Sequence, residues 1–199
     1  MTPDQIGRAY DQIAHRWASD DFNRENGIDQ HQRAIAFAER RGMALDVGCG
    51  CNGRLIDLLL VAGFEPEGVD VSSEMVRLAR LRHPEITFHH RDICSWEPPR
   101  SYDFITAWDS IWHLSSERQA RVLSKLIDAL RPQGVMIFSC GGHVEPQEHT
   151  DGSMGPEMYY ATLGVNGFMR LILEAGCTCR HFEFDQLPEV HSYFIVQKT

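Results

Sequence analysis

Apolar residues recur along the chain at two spacings, and each change of spacing marks a change of secondary structure. Residues 3 to about 20 carry apolar side chains on one helical face, Ile6 and Trp17 among them, which predicts an amphipathic leading helix. A second helix is expected from about Ile28 to Arg41, where Gly42 ends it. Short apolar runs then predict five strands, over residues 43–47, 67–71, 86–90, 102–108 and 135–140.

Helical spacing returns between these strands, so that strands and helices alternate. The helices are expected over about 54–62, 73–82, 115–130 and 166–175. Two further β-rich runs, 178–184 and 192–197, flank a turn and indicate a hairpin. This alternation predicts an α/β fold with a Rossmann-like, doubly wound sheet, mostly parallel with a C-terminal antiparallel hairpin. The length suits one domain, residues 1–199.

Three glycines, Gly48, Gly50 and Gly53, lie in the turn that joins the first strand to the next helix. Glycine permits the backbone conformations and the close ligand approach that a nucleotide-binding turn needs. The spacing Gly-x-Gly-x-x-Gly, followed by Asp70 near the end of the second strand, fits a dinucleotide. Asp46, just before the first glycine, would repel a pyrophosphate and attract a cation. A cationic nucleoside such as S-adenosylmethionine therefore suits the turn better than a nicotinamide or flavin dinucleotide.

Five motifs, in order along the chain, resemble those of the class I S-adenosylmethionine-dependent methyltransferases, specifically their small stand-alone members. The motifs are Leu45-Asp-Val-Gly-Cys-Gly50, Gly68-Val-Asp-Val-Ser72, Arg91-Asp-Ile93, Tyr102-Asp-Phe-Ile105 and Leu130-Arg-Pro-Gln-Gly134. The resemblance covers nearly the whole chain. It implies a seven-stranded class I sheet, S-adenosyl-L-methionine as the cofactor and S-adenosyl-L-homocysteine as the product.

The resemblance also implies roles for individual residues. Asp70 is expected to accept both ribose hydroxyls, Asp92 to accept the adenine amino group, and Trp108 to lie near the sulfonium or methionine end. The segment Tyr10 to Trp17 resembles the lid of the family, so residues 1–41 are expected to form an N-terminal helical lid. The implied cofactor-binding residues are Tyr10, Trp17, Asp46, Gly48, Cys49, Gly50, Asp70, Val71, Asp92, Ile93 and Trp108.

Structural roles stay open for several of these residues. Asp92 could simply end a strand, and Trp108 could belong to the core. Tyr10 and Trp17 share a helical face that core packing would explain nearly as well. Cys49 is expected to pack as a small side chain under the turn rather than to act as a nucleophile.

The acceptor side of the reaction has weaker signals. Methyl transfer is an in-line displacement at a carbon that the sulfonium already activates, so a protein base is optional. The candidate catalytic residues are Asp109, His113 and His149, although a capping or surface role is open for each. Gly141 to Pro156 shows no period, and residues 141–165 are expected to form a substrate loop. The candidate substrate-binding residues there are His143, Asp151, Tyr159 and Tyr160.

Charge narrows the range of acceptors. A net charge of −9 disfavours nucleic acid, and no Lys or Arg occurs from Pro132 to Met169. The segment Ala107-Trp-Asp-Ser-Ile-Trp112 also lacks the motifs of amino-methylating and cytosine-5 DNA enzymes. We therefore expect a small-molecule acceptor that is neutral or cationic.

Composition sets the remaining expectations. The six cysteines lack the spacing of a zinc site, so no metal is expected. No apolar run approaches the length that spans a bilayer, and the amino terminus lacks the features of a secretory signal. We expect no membrane partner and a cytoplasmic location.

Two classes of function remain open from the sequence. The favoured class is a methyltransferase that methylates an oxygen, nitrogen, carbon or sulfur atom of a small molecule. The rival class is a non-catalytic S-adenosylmethionine-binding module, or an enzyme that uses this cofactor for another reaction. Asp46, Asp70 and Asp92 favour cofactor binding in both classes. A nicotinamide dehydrogenase is disfavoured, because no second domain is expected. A metal-assisted mechanism at Asp109 is also disfavoured, because no second pair of strand-end carboxylates would complete the metal site.

Overall fold

The computed structural model describes all residues from Met1 to Thr199. Its helices are α1 (Pro3–Ala18), α2 (Ile28–Ile35), α3 (Arg54–Val61), α4 (Ser73–Arg82), α5 (Ser116–Ala129) and α6 (Gly164–Glu174). Its strands are β1 (Met43–Val47), β2 (Glu65–Asp70), β3 (Thr87–His90), β4 (Tyr102–Ala107), β5 (Leu130–Gly141), β6 (Gln147–Asp151), β7 (Met158–Thr162), β8 (Cys177–Asp185) and β9 (His191–Lys198). A short 3₁₀ helix, Ile111–His113, follows β4. None of the helices has the length and apolarity needed to cross a membrane.

Seven strands form one sheet in the order β3-β2-β1-β4-β5-β9-β8. Neighbouring strands from β3 to β5 are parallel, whereas β9 runs antiparallel to both β5 and β8. The mostly parallel sheet with an antiparallel C-terminal hairpin is therefore confirmed. The strand order reverses between β1 and β4, and sheets of this kind bind ligands beyond the carboxyl ends of the strands at that point.

The two faces of the sheet bury separate apolar layers. Leu45 and Ile105 pack into a cluster that α5 and α6 cover. Ala44 and Phe104, their neighbours along β1 and β4, pack on the other face against α2 and α3. Because successive side chains of a strand point to opposite faces, strands covered on both sides appear in the sequence as continuous apolar runs. Because both of their faces are packed, β1 and β4 are held in place. The loops that follow these two strands line the cavity described below.

The helix α2 ends at Ile35, so the predicted helical end at Arg41 was wrong. The guanidinium of Arg41 donates a hydrogen bond to the Ile35 carbonyl at 2.9 Å and another to the Ala38 carbonyl. These bonds satisfy carbonyl groups that a continued helix would have paired internally. The early end leaves residues 36–42 to bring the chain to the start of β1.

The segment predicted to lack regular structure contains a two-stranded ribbon. β6 pairs antiparallel with β7, and His149 lies opposite Tyr160. All five residues of β6 are exposed, so β6 has no apolar alternation by which the sequence could have indicated it. β7 is the inner strand, with Met158 and Ala161 buried.

Candidate functional site

A cavity of about 350 Å³ opens beyond the carboxyl ends of β1, β2 and β4. A volume of this order suits a nucleoside-sized ligand. The glycine turn and the segment 108–114 form much of its wall, and α1 closes one side. Its lining includes Tyr10, Trp17, Asn26, Gly48, Cys49, Gly50, Arg54, Asp70, Val71, Asp92, Ile93, Trp108, Asp109, Trp112, His113 and Tyr160.

The glycine turn has the left-handed backbone that its sequence predicts. Gly48 has φ +70° and Gly50 has φ +57°. A Cβ atom at Gly48 would overlap the Cβ of Ser110, whereas one at Gly50 would meet nothing within 4 Å. The first glycine is therefore required for packing, and the second leaves room for a ligand to approach the backbone.

Asp70 at the end of β2 is tied to this turn. One carboxylate oxygen accepts the Gly50 amide at 2.9 Å, and the other accepts the Ser72 amide at 2.8 Å. Burial raises the pKa of Asp70, and the hydrogen bonds from Ser72, Gly50 and Val71 oppose that rise. Each carboxylate oxygen has a further lone pair for a ligand hydroxyl, so the residue fits a ribose.

Two more acids accompany Asp70. Burial raises the pKa of Asp46 to about 7, with Arg54 opposing and Asp70 adding to the rise. Asp46 is buried and is not among the residues that line the cavity. Asp92 lines the cavity, and one of its oxygens accepts the Cys94 amide at 2.8 Å, which fixes the loop after β3.

Arg54 was not anticipated from the sequence. It is the first residue of α3, lines the cavity, and donates from Nε to the Asn26 carbonyl at 2.8 Å. Burial lowers its pKa, while Asp109 and Asp46 oppose this effect. An arginine directly after a glycine turn was the available signal, because the first helical residues lie next to the turn. Arg54 therefore places a largely buried cation in the wall of the cavity.

Trp108 is at once a core residue and a wall of the cavity. Only 3% of it is exposed, and it belongs to the apolar layer beside α2. Its indole Nε1 has no hydrogen-bond partner. Trp108 therefore belongs to the core and also lines the cavity, and its contact with the sulfonium or methionine end stays a prediction.

His113 joins three segments of the cavity wall. Its Nδ1 lies 2.8 Å from the Tyr159 carbonyl and its Nε2 lies 2.7 Å from the Tyr10 hydroxyl. A carbonyl only accepts, so Nδ1 carries the proton and Nε2 accepts from Tyr10. Burial lowers the pKa of His113 to about 4 and raises that of Tyr10, so both groups are neutral at pH 7.

Asp109 follows β4 with a left-handed backbone, φ 51°. Its side chain accepts hydrogen bonds from Asn26 at 3.0 Å, Ser139 at 3.3 Å and Nε2 of His191 at 3.1 Å. Its own amide donates to the Ser139 hydroxyl at 2.7 Å. These bonds aim a carboxylate at the cavity, which it lines.

His191 connects Asp109 to Asp185 by hydrogen bonds that the sequence did not indicate. His191 bonds through Nδ1 to Asp185, its cross-strand neighbour. Burial would lower the pKa of His191, but the bonds to Asp109 and Asp185 outweigh this effect and raise it. The sequence does not give the register of the terminal hairpin, so it could not show that Asp109, His191 and Asp185 lie together.

Several of the predicted acceptor residues lie away from the cavity. Tyr160 lines it, but the side chains of His143, His149, Asp151 and Tyr159 do not. His149 stacks on Tyr160 with ring centroids 5.2 Å apart, and the Tyr159 hydroxyl bonds to Glu148 at 2.6 Å. Their roles, like the catalytic roles of Asp109 and His113, stay predictions.

The strand order and the position of the cavity match the Rossmann-like architecture of class I methyltransferases. Residues 44–134 match a family described as a methyltransferase domain. The matched segment contains the glycine turn, Asp70, Asp92 and Asp109.

Curated relatives agree with this match. A dTDP-3-amino-3,6-dideoxy-alpha-D-glucopyranose N,N-dimethyltransferase from Streptomyces fradiae is 27% identical over 135 residues, which are 67% of this chain and 52% of that protein. A trans-aconitate 2-methyltransferase from Rhizobium meliloti is 28% identical over 110 residues, which are 54% of this chain and 42% of that protein. The chain thus spans about half the length of the curated relatives it matches.

Solved structures share the fold over almost the whole chain. An S-adenosylmethionine-bound amino pentose methyltransferase from Micromonospora echinaspora has a TM-score of 0.70 at 16% identity, covering 94% of this chain and 96% of that one. Magnesium protoporphyrin IX methyltransferase from Synechocystis has a TM-score of 0.75 at 17% identity, covering 100% and 98%. The predicted class I architecture and the resemblance to this family are confirmed, and residues 44–134 are the part of the chain that matches a methyltransferase domain.

Proposed function

We propose that this protein transfers a methyl group from S-adenosyl-L-methionine to a small-molecule acceptor. One observation carries the proposal: the Gly50–Asp70 cradle and the Asp109 carboxylate line the same cavity. A cofactor held by the cradle would therefore share an enclosed space with a group able to meet an acceptor. The match of residues 44–134 to a methyltransferase domain supports this assignment.

The charge of the cavity supports a cationic cofactor. Asp70, Asp92 and Asp109 line it together with Arg54 and Arg91, so the acidic side chains outnumber the arginines by one. When bound, the cofactor supplies a methyl group on a positively charged sulfur. We assign the ribose hydroxyls to Asp70, the adenine to Asp92 and Ile93, and the methionine end to the glycine turn and Arg54.

We propose two covers for this site. Residues 1–41 form the helical lid, supported by Ile6, Tyr10 and Trp17, which line the cavity from α1. Residues 141–165 form the acceptor side, supported by Met154 and Tyr160 in the lining. Since in-line transfer mainly needs positioning and exclusion of water, closure of both segments would provide most of the catalysis.

The acceptor is proposed to be small and neutral or cationic. Two of the proteins described above are named for amine-bearing sugars, a dTDP-linked amino sugar and an amino pentose. The absence of Lys and Arg from Pro132 to Met169 disfavours a polyanionic acceptor. We also propose a cytoplasmic location. All six cysteines are free thiols, and cysteines remain free thiols in a reducing compartment.

The test combines cofactor binding with turnover. Calorimetry should detect binding of S-adenosylhomocysteine, and incubation of radiolabelled S-adenosylmethionine with metabolite fractions should yield a labelled product. No binding would contradict the proposal. Binding without a product from any amine, phenol, carboxylate or thiol fraction would favour a non-catalytic S-adenosylmethionine-binding module.

A further inference from the structure

We propose that the acceptor atom is an amine nitrogen, which binds to the Asp109 carboxylate and gives it a proton, and that His191 and Asp185 position that carboxylate. This inference rests on the proposed function and names its substrate class. It is drawn from the chain Asp109–His191–Asp185, which begins in the cavity and ends in the terminal hairpin.

The protonation state of His191 follows from its partners. Nε2 lies 3.1 Å from Asp109 Oδ1, and Nδ1 is hydrogen-bonded to Asp185 Oδ1. An ionised carboxylate only accepts hydrogen bonds, so both ring nitrogens must donate and the ring is an imidazolium. The second Asp185 oxygen accepts from Gln30 at 2.8 Å, which holds that carboxylate in place.

Two indole rings lie beside His191. The ring centroids of Trp108 and Trp112 lie 5.3 Å and 5.6 Å from that of His191. An indole face attracts a cation at this distance. Asp109 and Asp185 are the charged groups that face the imidazole. The three titratable groups together therefore carry one net negative charge.

That net charge reaches the cavity through Asp109, and Arg54 is the nearby cation in the same lining. The Asp109 side chain is 29% exposed, whereas that of His191 is 7% exposed. Trp112 and Tyr160 line the cavity with Asp109, with their ring centroids 6.4 Å apart. A carboxylate beside aromatic rings binds an ammonium group by ion pairing and by cation–π attraction. A carboxylate acceptor would be repelled, and an alcohol would donate one hydrogen bond to Asp109 without forming an ion pair.

The proton and electron balance of the step is complete. The bound ammonium gives one proton to Asp109, which frees the nitrogen lone pair. The lone pair forms a bond to the methyl carbon as the carbon–sulfur bond breaks, and that electron pair stays on sulfur. The product leaves as a methylated ammonium ion, and Asp109 releases its proton to water. His191 remains an imidazolium paired with Asp185 throughout.

Three probes that share one ring separate the acceptor chemistries. Benzylamine, benzyl alcohol and benzoate would be titrated calorimetrically into the protein saturated with S-adenosylhomocysteine. We expect benzylamine to bind at least about tenfold tighter than the other two, as an added charged hydrogen bond predicts. Equal or tighter binding of the alcohol or benzoate, or no binding of the amine, would overturn the inference. Failure to bind S-adenosylhomocysteine would instead overturn the proposed function.

Variants then test the individual residues. Asp109→Asn should lose the preference for benzylamine and keep S-adenosylhomocysteine affinity within about twofold. His191→Gln should weaken benzylamine binding by about tenfold. His181→Gln is the matched control, because His181 pairs with Glu183 on the same hairpin but lies outside the cavity. An equal effect of His181→Gln and His191→Gln would overturn the role of His191.

Nitrogen-15 spectra of the imidazoles separate positioning from simple structural support. In the wild-type protein at pH 7, both nitrogens of His191 should carry protons. In Asp185→Asn, His191 should become a neutral ring, and benzylamine binding should weaken while the melting temperature shows that the protein remains folded. A neutral His191 ring in the wild-type protein would overturn the inference.

Discussion

The hydroxyl of Tyr10 lies 2.7 Å from Nε2 of His113, which joins the leading helix to the wall of the cavity. The other nitrogen of this ring holds the Tyr159 carbonyl at 2.8 Å. The helix α1, the 3₁₀ helix and the strand β7 therefore meet at one neutral imidazole. His113 thus connects α1 and β7, which belong to the two segments proposed to cover the cavity.

Replacing Tyr10 by Phe tests the connection. The variant leaves Nε2 of His113 with only the Trp112 indole, 3.2 Å away, as a donor. We expect the free energy of unfolding to fall by about 1 to 2 kcal/mol and the amides of α1 to exchange faster with solvent. Urea unfolding and hydrogen exchange would measure both effects.

Tyr159→Phe is the matched control for that variant. The Tyr159 hydroxyl bonds to Glu148 at the surface, so its loss should change the free energy of unfolding by less than about 0.5 kcal/mol. If the two variants were equally destabilised, the contact between Tyr10 and His113 would have no special role.

Asp70→Ala tests the cofactor cradle. The substitution removes the acceptor proposed for the ribose and frees the Gly50 amide, so S-adenosylhomocysteine should bind about 1.5 to 3 kcal/mol more weakly. Calorimetry would measure the change. Asp128→Ala, at an exposed position on α5, provides the comparison. Unchanged affinity in a folded Asp70→Ala protein would exclude the assignment.

The cofactor half of the site could be predicted because its signals are local. The glycine turn directly follows β1, Asp70 is the last residue of the neighbouring strand β2, and Asp92 follows β3. Parallel strands bring their carboxyl ends to one edge of a sheet, so order along the chain becomes proximity in space. Both acids accordingly line the cavity.

The acceptor half depends on register, which the sequence does not state. His191 reaches Asp109, 82 positions away, because β9 pairs with β5 and sets His191 opposite Gly141. A shift of one residue would turn the His191 side chain to the other face of the sheet. The exposed strand β6 likewise had no apolar period to reveal it.

Buried titratable groups in this protein should respond to pH in opposite directions. Burial lowers the pKa of His31 from 6.5 to about 4, so the unfolded chain takes up its proton first. The stabilising effect of His31 is present above pH 6.5 and falls by about 2 kcal/mol from pH 7 to pH 5. Burial raises the pKa of Asp46 from 3.8 to about 7, so the folded state is protonated first and gains about 2 kcal/mol over the same interval.

Asp46→Asn should remove that gain. Relative to the wild type, the variant should lose about 2 kcal/mol in free energy of unfolding between pH 7 and pH 5. Urea unfolding at several pH values, followed by tryptophan fluorescence, would show the difference. Asp128→Asn should remain parallel to the wild type. A constant offset between Asp46→Asn and the wild type would show that Asp46 does not titrate in this range.

The two glycines of the turn should separate packing from ligand binding. Gly48→Ala places a Cβ against Ser110 at φ +70°, so it should destabilise the fold by about 2 to 5 kcal/mol. Gly50→Ala meets no protein atom within 4 Å at φ +57° and should cost only about 1 to 2 kcal/mol. Thermal and urea unfolding without ligand would rank the two variants.

Ligand binding should rank the same variants differently. The new methyl group at residue 50 projects into the space proposed for the cofactor, so folded Gly50→Ala should bind S-adenosylhomocysteine about tenfold more weakly. Since Gly48 packs against Ser110, its substitution should affect affinity mainly through the loss of folded protein. Undiminished affinity of Gly50→Ala would mean that the cofactor does not approach the backbone at this glycine, and the cradle would then have to be assigned to Asp70 alone.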